Sequence, residues 1–189
     1  GVSKYLARVR VRLPGGQQIR PLEEADASEL YLLIDANRRR LMRWMVWAEG
    51  QTPEGTLEFI RAARRQLAAG EGLQAAIVEH GRIAGVAGFH GVDWHNRSTS
   101  IGYWLADGYE GRGTMTEAVR LLTGHAFTQW RLNRVEIRAD VENVRSRALA
   151  ERLGFTYEGT LRQALRLADG YHDDAVYAML AEEWPAVSV

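Results

Sequence analysis

Gly108, Gly111 and Gly113 stand close together just ahead of apolar residues at helical spacing, Met115, Val119, Leu122, Ala126 and Trp130. A helix that begins on a glycine turn gathers free backbone N–H groups and the positive end of its dipole at one point. That is a site for an anion, most often phosphate. Glycine reaches positive φ without steric cost, and its missing Cβ lets a ligand approach the backbone. The spacing is not that of a P-loop, which needs G-x-x-x-x-G-K followed by Ser or Thr. Nor is it a full G-x-G-x-x-G, because Thr116 stands where the third glycine would be. Other residues able to act chemically are Ser146, the histidines His90, His95 and His172, and the acids Asp93 and Asp173 beside two of them. The chain has no cysteine, which excludes disulfides, thiolate zinc sites and a Cys-linked acyl-enzyme. The pairs Asp93/His95 and His172/Asp173 match no metal-ligand spacing, so no metal is expected.

The elements that must position these residues follow from periodicity and breakers. Ile101–Ala106 reads as a buried strand, and Arg134–Asp140 as a second with Val135, Ile137 and Ala139 alternating. The helix between them makes a strand–helix–strand crossover, so the two strands should run parallel. Upstream, Arg8–Arg12 and Gln18–Arg20 read as strands around Pro14-Gly15-Gly16. Asp26 reads as a helix N-cap with Glu29 closing a capping box. A helix carrying Trp44 and Trp47 one turn apart follows the three arginines Arg38, Arg39 and Arg40, whose plain reading is a solvated face. Thr52-Pro53 opens a further helix that ends near Ala69, before Gly70. Leu73–Glu79 and Arg82–His90 form a hairpin at His80-Gly81. Asn143–Leu153 is a short helix closed by Gly154, and strands over Thr156–Leu167 and Ala175–Leu180 complete the chain. The expected class is a mixed α/β sheet, mostly antiparallel with one parallel crossover, in a single domain over residues 1–189.

Two strings carry a family resemblance. Glu110-Gly111-Arg112-Gly113-Thr114-Met115 resembles the acyl-CoA-binding motif Q/R-x-x-G-x-G/A of the GNAT superfamily of N-acetyltransferases. Glu110 replaces the usual Gln or Arg, and Met115 the last small residue. The stretch from Asn143 to Phe155 resembles the second motif of that superfamily, N-x-x-A/S-x-x-L-Y-x-x-x-G-F, with Ala150 at the Tyr position. Ile101-Gly102-Tyr103-Trp104-Leu105 with the glycine turn, an Asn37-Arg38-x-x-Leu41-x-x-Trp44-x-x-Trp47 element, and Asp169–Asp174 with Glu183-Trp184 are similar to the Rim-type branch, which acetylates N-terminal amines of ribosomal proteins.

The resemblance implies a GNAT-like fold, acetyl-CoA as cofactor, and direct acetyl transfer to a primary amine. It places the cofactor on Trp104, Leu105, Ala106, Glu110, Gly111, Arg112, Gly113, Thr114, Met115, Thr116, Asn143, Ser146 and Leu149. Acceptor contacts fall to Trp44, Trp47, Tyr103 and Tyr171. Direct attack sets three tasks: removing a proton from the ammonium, stabilising the oxyanion, and protonating the leaving thiolate. An outward backbone N–H near Leu105 suits the second. Ser146 stands in for the absent Tyr in the third; its plain reading is a helix residue bonded locally. Asn143 reads both as a helix cap and as a contact to the pantetheine arm. For the base, the branch's acidic positions are Ser100 and Leu165 here. That leaves His90, His95, Asp93, His172 or a water, with His90 preferred.

Lys plus Arg and Asp plus Glu are each 24, so the net charge is zero, which argues against direct nucleic-acid binding. No apolar run reaches the ~18 residues of a membrane span and no signal segment is visible, so a cytoplasmic location is expected. The favoured acceptor is a protein or peptide N-terminus. A small amine such as an antibiotic, polyamine or amino acid is the alternative, and a non-catalytic acyl-CoA-binding module is the rival from another class. Trp44, Trp47 and Trp94 would wall the acceptor or form a homodimer face.

Overall fold

The computed structural model describes residues 10–184. In chain order the elements are β1 (Val11–Arg12), β2 (Gln18–Pro21), α1 (Ala27–Ala36), α2 (Arg38–Met42), α3 (Pro53–Ala69), β3 (Gln74–Glu79) and β4 (Arg82–Asp93). They continue with β5 (Ser98–Leu105), α4 (Thr114–Thr128), β6 (Arg134–Asp140), α5 (Val144–Arg152), β7 (Thr156–Leu167) and β8 (Gly170–Leu180). The strands form one eight-stranded sheet in the order β1-β2-β3-β4-β5-β6-β8-β7. Among the described residues only β5 and β6 pair in parallel, as the crossover through α4 requires; the other neighbours are antiparallel. The mixed sheet with one parallel crossover expected from the sequence is therefore present. Of the strand expected from Arg8, residues 8 and 9 lie outside the described residues.

The sheet is covered on both faces. The larger core joins Ile101, Val135, Ile137, Ala175 and Tyr177 of the strands to Met115, Val119, Leu122 and Ala126 of α4 and Leu149 of α5. Against the other face, Leu30, Ile34, Leu41 and Ile60 pack on Ala76, Val86 and Trp104. Successive residues of β5 thus serve opposite layers, as strand geometry dictates.

Local sequence explains most boundaries. Thr52 Oγ1 accepts the Gly55 amide at 3.0 Å and Pro53 opens α3, which closes on Gly70 in the left-handed region at φ 72°. Replacing Thr52 with Ala should cost about 1 kcal/mol of stability in a denaturant titration, since one orphan amide loses its partner. Two expectations fail. Glu29 does not close a capping box with Asp26, because its carboxylate accepts the Ile83 amide of β4 at 2.7 Å. The box instead pairs Glu23 with Asp26, and the Asp26 carboxylate also takes both ends of the Arg20 guanidinium at 2.8 Å. Nor do Trp44 and Trp47 share a helix: α2 stops at Met42, and Trp47 sits in a separate 3-10 turn, Val46–Ala48. Among the described residues no helix is long and apolar enough to cross a membrane.

Candidate active site

The parallel ladder between β5 and β6 is short. Ser98, Thr99 and Ser100 face Arg134, Val135 and Glu136, and there the pairing ends although both strands run on. Beyond it the strands part. On the other side of β5, the Ala106 amide donates to Ala84 O at 2.8 Å while Leu105 lies opposite Gly85. In an antiparallel ladder this makes Gly85/Leu105 a non-hydrogen-bonded pair, so Leu105 turns its own N–H and C=O away from β4, toward the gap. Tyr103, two residues earlier, has the same outward orientation. The gap is therefore edged by backbone donors beyond the end of the ladder.

Leu105 is thus the member of the Trp104–Ala106 group whose amide faces the gap, as expected for an oxyanion donor. The Ala106 amide is spent on β4. The Trp104 ring is 9% exposed on the opposite sheet face, where it lies 6.2 Å from Trp47.

Past β5 the turn is built as the glycines demand. Gly108, Gly111 and Gly113 have φ of 90°, 81° and 75°, and no atom lies within 4 Å of the place a Cβ would occupy. Gly113 is the N-cap of α4 and supplies no side-chain cap, so the amides over Thr114, Met115 and Thr116 begin the helix without a side-chain acceptor. That cradle suits a diphosphate. Its side chains point elsewhere. Arg112 turns back to Glu79 at 2.8 Å and to Gly108 O at 2.5 Å, pinning the turn to β3. Thr116 Oγ1 accepts from Arg152 of α5 at 3.2 Å. Glu110 is held between two guanidinium groups, Arg40 from α2 and Arg145 from α5, and Arg40 also donates to Leu105 O. An acid at position 110 is thereby neutralised. Of the three arginines read as a solvated face, Arg40 is tied to the site and Arg38 donates to Ala48 O and Glu49 O. Asn37 Oδ1 fixes the turn from the same segment by accepting the Asp107 amide at 2.8 Å.

Across the gap, α5 presents Ser146. Its Oγ lies 2.8 Å from the Tyr103 hydroxyl, and its amide donates to Asn143 Oδ1 at 3.2 Å. Asn143 is therefore the helix cap, and its side chain borders the same opening. Tyr103, read from the sequence as an acceptor contact, turns its phenol to the α4–α5 side instead. Burial pushes that phenol's pKa up to about 12, against the opposing pull of Ser146 and Arg152, so it stays a neutral donor. Leu149 is a core residue below, and Ala150 is fully buried.

The opposite face of the gap carries other groups. His90 lies over Gly102, where an added Cβ would come within 2.1 Å of Nε2. Its Nδ1 is 3.4 Å from Ser100 Oγ, and burial lowers its pKa. Both line a cleft of about 430 Å³ with Glu136 and Arg138. Trp44 is stacked under Arg43 at 4.5 Å, while Trp47 and Tyr171 are exposed. The acids beside His95 and His172 bond elsewhere. Asp93 caps its own turn at Asn96, and Asp173 accepts the Gln163 amide. His172 instead meets Asp140, Glu142 and Asp169. Sequence reading missed this grouping and the Arg40–Glu110–Arg145 bridge, because neither has a local spacing. A larger cavity of about 1030 Å³ between β1–β3 and α4 contains none of the expected site residues.

This geometry can be set beside known proteins. The family model for the acetyltransferase (GNAT) domain matches residues 18–156. A putative ribosomal N-acetyltransferase of Bacillus subtilis, YdaF, is 40% identical over 168 residues, covering 88% of this chain and 92% of that one. The chain belongs to the GNAT acetyltransferase family. It is an acetyl-CoA-dependent N-acetyltransferase, and the glycine turn with its uncapped helix fits that cofactor. The ribosomal-protein-serine acetyltransferase of Escherichia coli is 28% identical over 173 residues, covering 91% and 97% of the two chains. The structure of RimL, a ribosomal L7/L12 alpha-N-protein acetyltransferase in complex with coenzyme A, superposes with a TM-score of 0.87 at 26% identity, covering 91% of this chain and 98% of that one.

Proposed function

We propose that this acetyltransferase acts on the α-amino group of a protein or peptide N-terminus, working as one catalytic domain over residues 1–189 in the cytoplasm. The observation that carries the mechanism is the gap between β5 and β6. It has the outward Leu105 amide on one border, Ser146 with Tyr103 on the α4–α5 side, and Trp104 with the exposed Trp47 on the opposite face. The kind of acceptor is supported by relatives named as ribosomal-protein acetyltransferases.

Each group has a task. The amides over Gly111–Thr116 hold the diphosphate, and Asn143 borders the path of the pantetheine arm. The Leu105 N–H donates to the developing oxyanion, where a fixed donor in a low-dielectric site is worth most. Ser146 Oγ hydrogen-bonds or protonates the leaving sulfur, and the Tyr103 phenol orients it. Trp47, Trp44 and Tyr171 wall the acceptor approach. His90 lies on the acceptor face, where burial lowers its basicity, and takes no assigned step.

Thermal unfolding with and without acetyl-CoA tests the cofactor site, with ATP and NAD as controls. Acetyl-CoA at ~100 times its dissociation constant should add roughly 2.7 kcal/mol of stability, and the controls nothing comparable. Turnover is then read with N-terminal peptides against polyamines and amino acids. Faster turnover of a small amine than of any peptide would replace the proposed acceptor.

A further inference from the structure

The groups beside the gap include one arrangement that the roles above leave unused. His172 of β8 places Nδ1 2.6 Å from Asp140 Oδ2 and Nε2 2.6 Å from Asp169 Oδ1. The two acids differ sharply in setting. The Asp140 side chain is 2% exposed and that of Asp169 75%. Asp140 Oδ1 accepts the Glu142 amide at 2.9 Å, while Oδ2 has no hydrogen-bond partner and its close neighbour is the imidazole. A buried carboxylate oxygen left with one imidazole is a device for fixing a ring, as in bases oriented by a third group.

Its place in the fold is specific. Asp140 lies four residues beyond Glu136, the last β6 residue paired to β5, and Trp104 four beyond Ser100. At about 3.3 Å per residue both stand about 13 Å past the end of the ladder, one on each border of the gap. Asp140 pairs with Asp174 across β6 and β8, so His172 continues on the same face just beyond it. Ala139 and Ala175 turn to the opposite side, toward the core. The dyad thus flanks the transfer gap on the face away from Ser146 and Tyr103.

We propose that His172, oriented by Asp140, is the general base that takes the proton from the acceptor ammonium; this rests on the N-terminal-amine reading above. His172 Nε2 accepts one proton of the ammonium, displacing the exposed Asp169 carboxylate. The amine lone pair forms the N–C bond to the acetyl carbon and the C–S bond breaks, its electron pair leaving on sulfur. The second amine proton reaches that sulfur through Ser146. Products are the amide and the thiol, and His172 returns its proton to water.

The charges around the ring are consistent with this task. Asp169, Asp140 and Glu142 raise the pKa of His172 above its ordinary value, with Asp169 the largest influence. That moves the base toward an α-amino group, whose pKa is about 8. Other charged groups facing the dyad are Asp174 from β8, itself raised by burial, Arg138 of β6 beside Asp174, and Arg43, whose charge acts on Asp169 from the segment after α2. Leu165 lies directly opposite His172 on β7 and contributes no charge.

The test is the pH dependence of kcat/KM for a peptide acceptor in wild type, His172→Gln and Asp140→Asn. Wild type should show an ascending limb above pH 6.5 from His172. His172→Gln should lose that limb and about 100-fold in kcat with an unchanged thermal shift by acetyl-CoA. Asp140→Asn should move the limb to lower pH and cut kcat less, because a negative partner is gone. Imidazole should partly restore His172→Ala. Unfolding is compared at pH 9. A group whose pKa rises on folding stabilises fully below its unfolded value and loses that contribution as pH rises through the folded one, so a charge-based loss in Tm disappears there. An unchanged limb and rate in His172→Gln overturns the assignment alone. A wild type that binds acetyl-CoA but acetylates no amine removes the parent reading and this one with it.

Discussion

Ser146→Ala should lower kcat about 100-fold, equivalent to about 2.7 kcal/mol in the barrier, while acetyl-CoA affinity stays within about twofold. The separation follows from geometry. Ser146 Oγ lies against the Tyr103 hydroxyl at 2.8 Å on the α4–α5 border of the gap, whereas the phosphate cradle is made of backbone amides far along the turn. Removing the hydroxyl touches only the leaving-group step. Steady-state kinetics with a peptide acceptor, beside thermal shifts with acetyl-CoA, measure the two quantities. Tyr103→Phe is the necessary companion. It should cost less, since the phenol reaches the sulfur through Ser146. If Ser146→Ala keeps a third or more of the wild-type rate and Tyr103→Phe does not, the two roles are exchanged.

The second large effect is expected at Gly85, a residue with no functional group. A Cβ there would lie 2.2 Å from Trp104 O and 3.0 Å from Leu105 Cα. Backbone cannot swing aside as a side chain does, so Gly85→Ala must push β5 away from β4 at the residue that offers the outward amide. The expected loss is about 3 kcal/mol, or about 10 °C in Tm, at the upper end for overpacking. The fraction that remains folded should also turn over at least tenfold more slowly, because a misplaced donor stabilises the transition state poorly. Gly50→Ala is the control: nothing lies within 4 Å of its Cβ position, and stability should change by less than about 0.5 kcal/mol. Wild-type kcat in Gly85→Ala would mean that Leu105 is not the oxyanion donor.

What the sequence made legible was local. The glycine turn, the apolar stripe of α4 and the alternation in β6 each depend on neighbours a few residues apart, and together they fix the parallel crossover and with it the gap. Ser146 and Asn143 could be singled out because they belong to a contiguous motif. The departures came where a side chain had a distant partner. Glu29 leaves its expected cap because its carboxylate accepts the Ile83 amide, 54 residues away. Glu110, which replaces the usual Gln or Arg of the motif, is enclosed by Arg40, 70 residues earlier, and by Arg145. The family resemblance assigns Tyr103 to the acceptor, whereas the packing of α5 brings its hydroxyl against Ser146. The contact between His172 and Asp140 depends on which strands are neighbours in the sheet, which spacing along the chain does not encode.

The short ladder between β5 and β6 has a dynamic consequence. Three paired positions join β1–β5 to β6–β8, whereas β6 and β8 alone share seven. The molecule is mechanically two plates fastened along a narrow seam and braced by α4. Its cheapest internal motion is a hinge about that seam, and amide protons of Ser98–Ser100 and Arg134–Glu136 should exchange with solvent sooner than those in the middle of β4 or β8. A cofactor lodged in the gap touches both plates at once. Its binding would then slow exchange along the seam well beyond the residues it contacts.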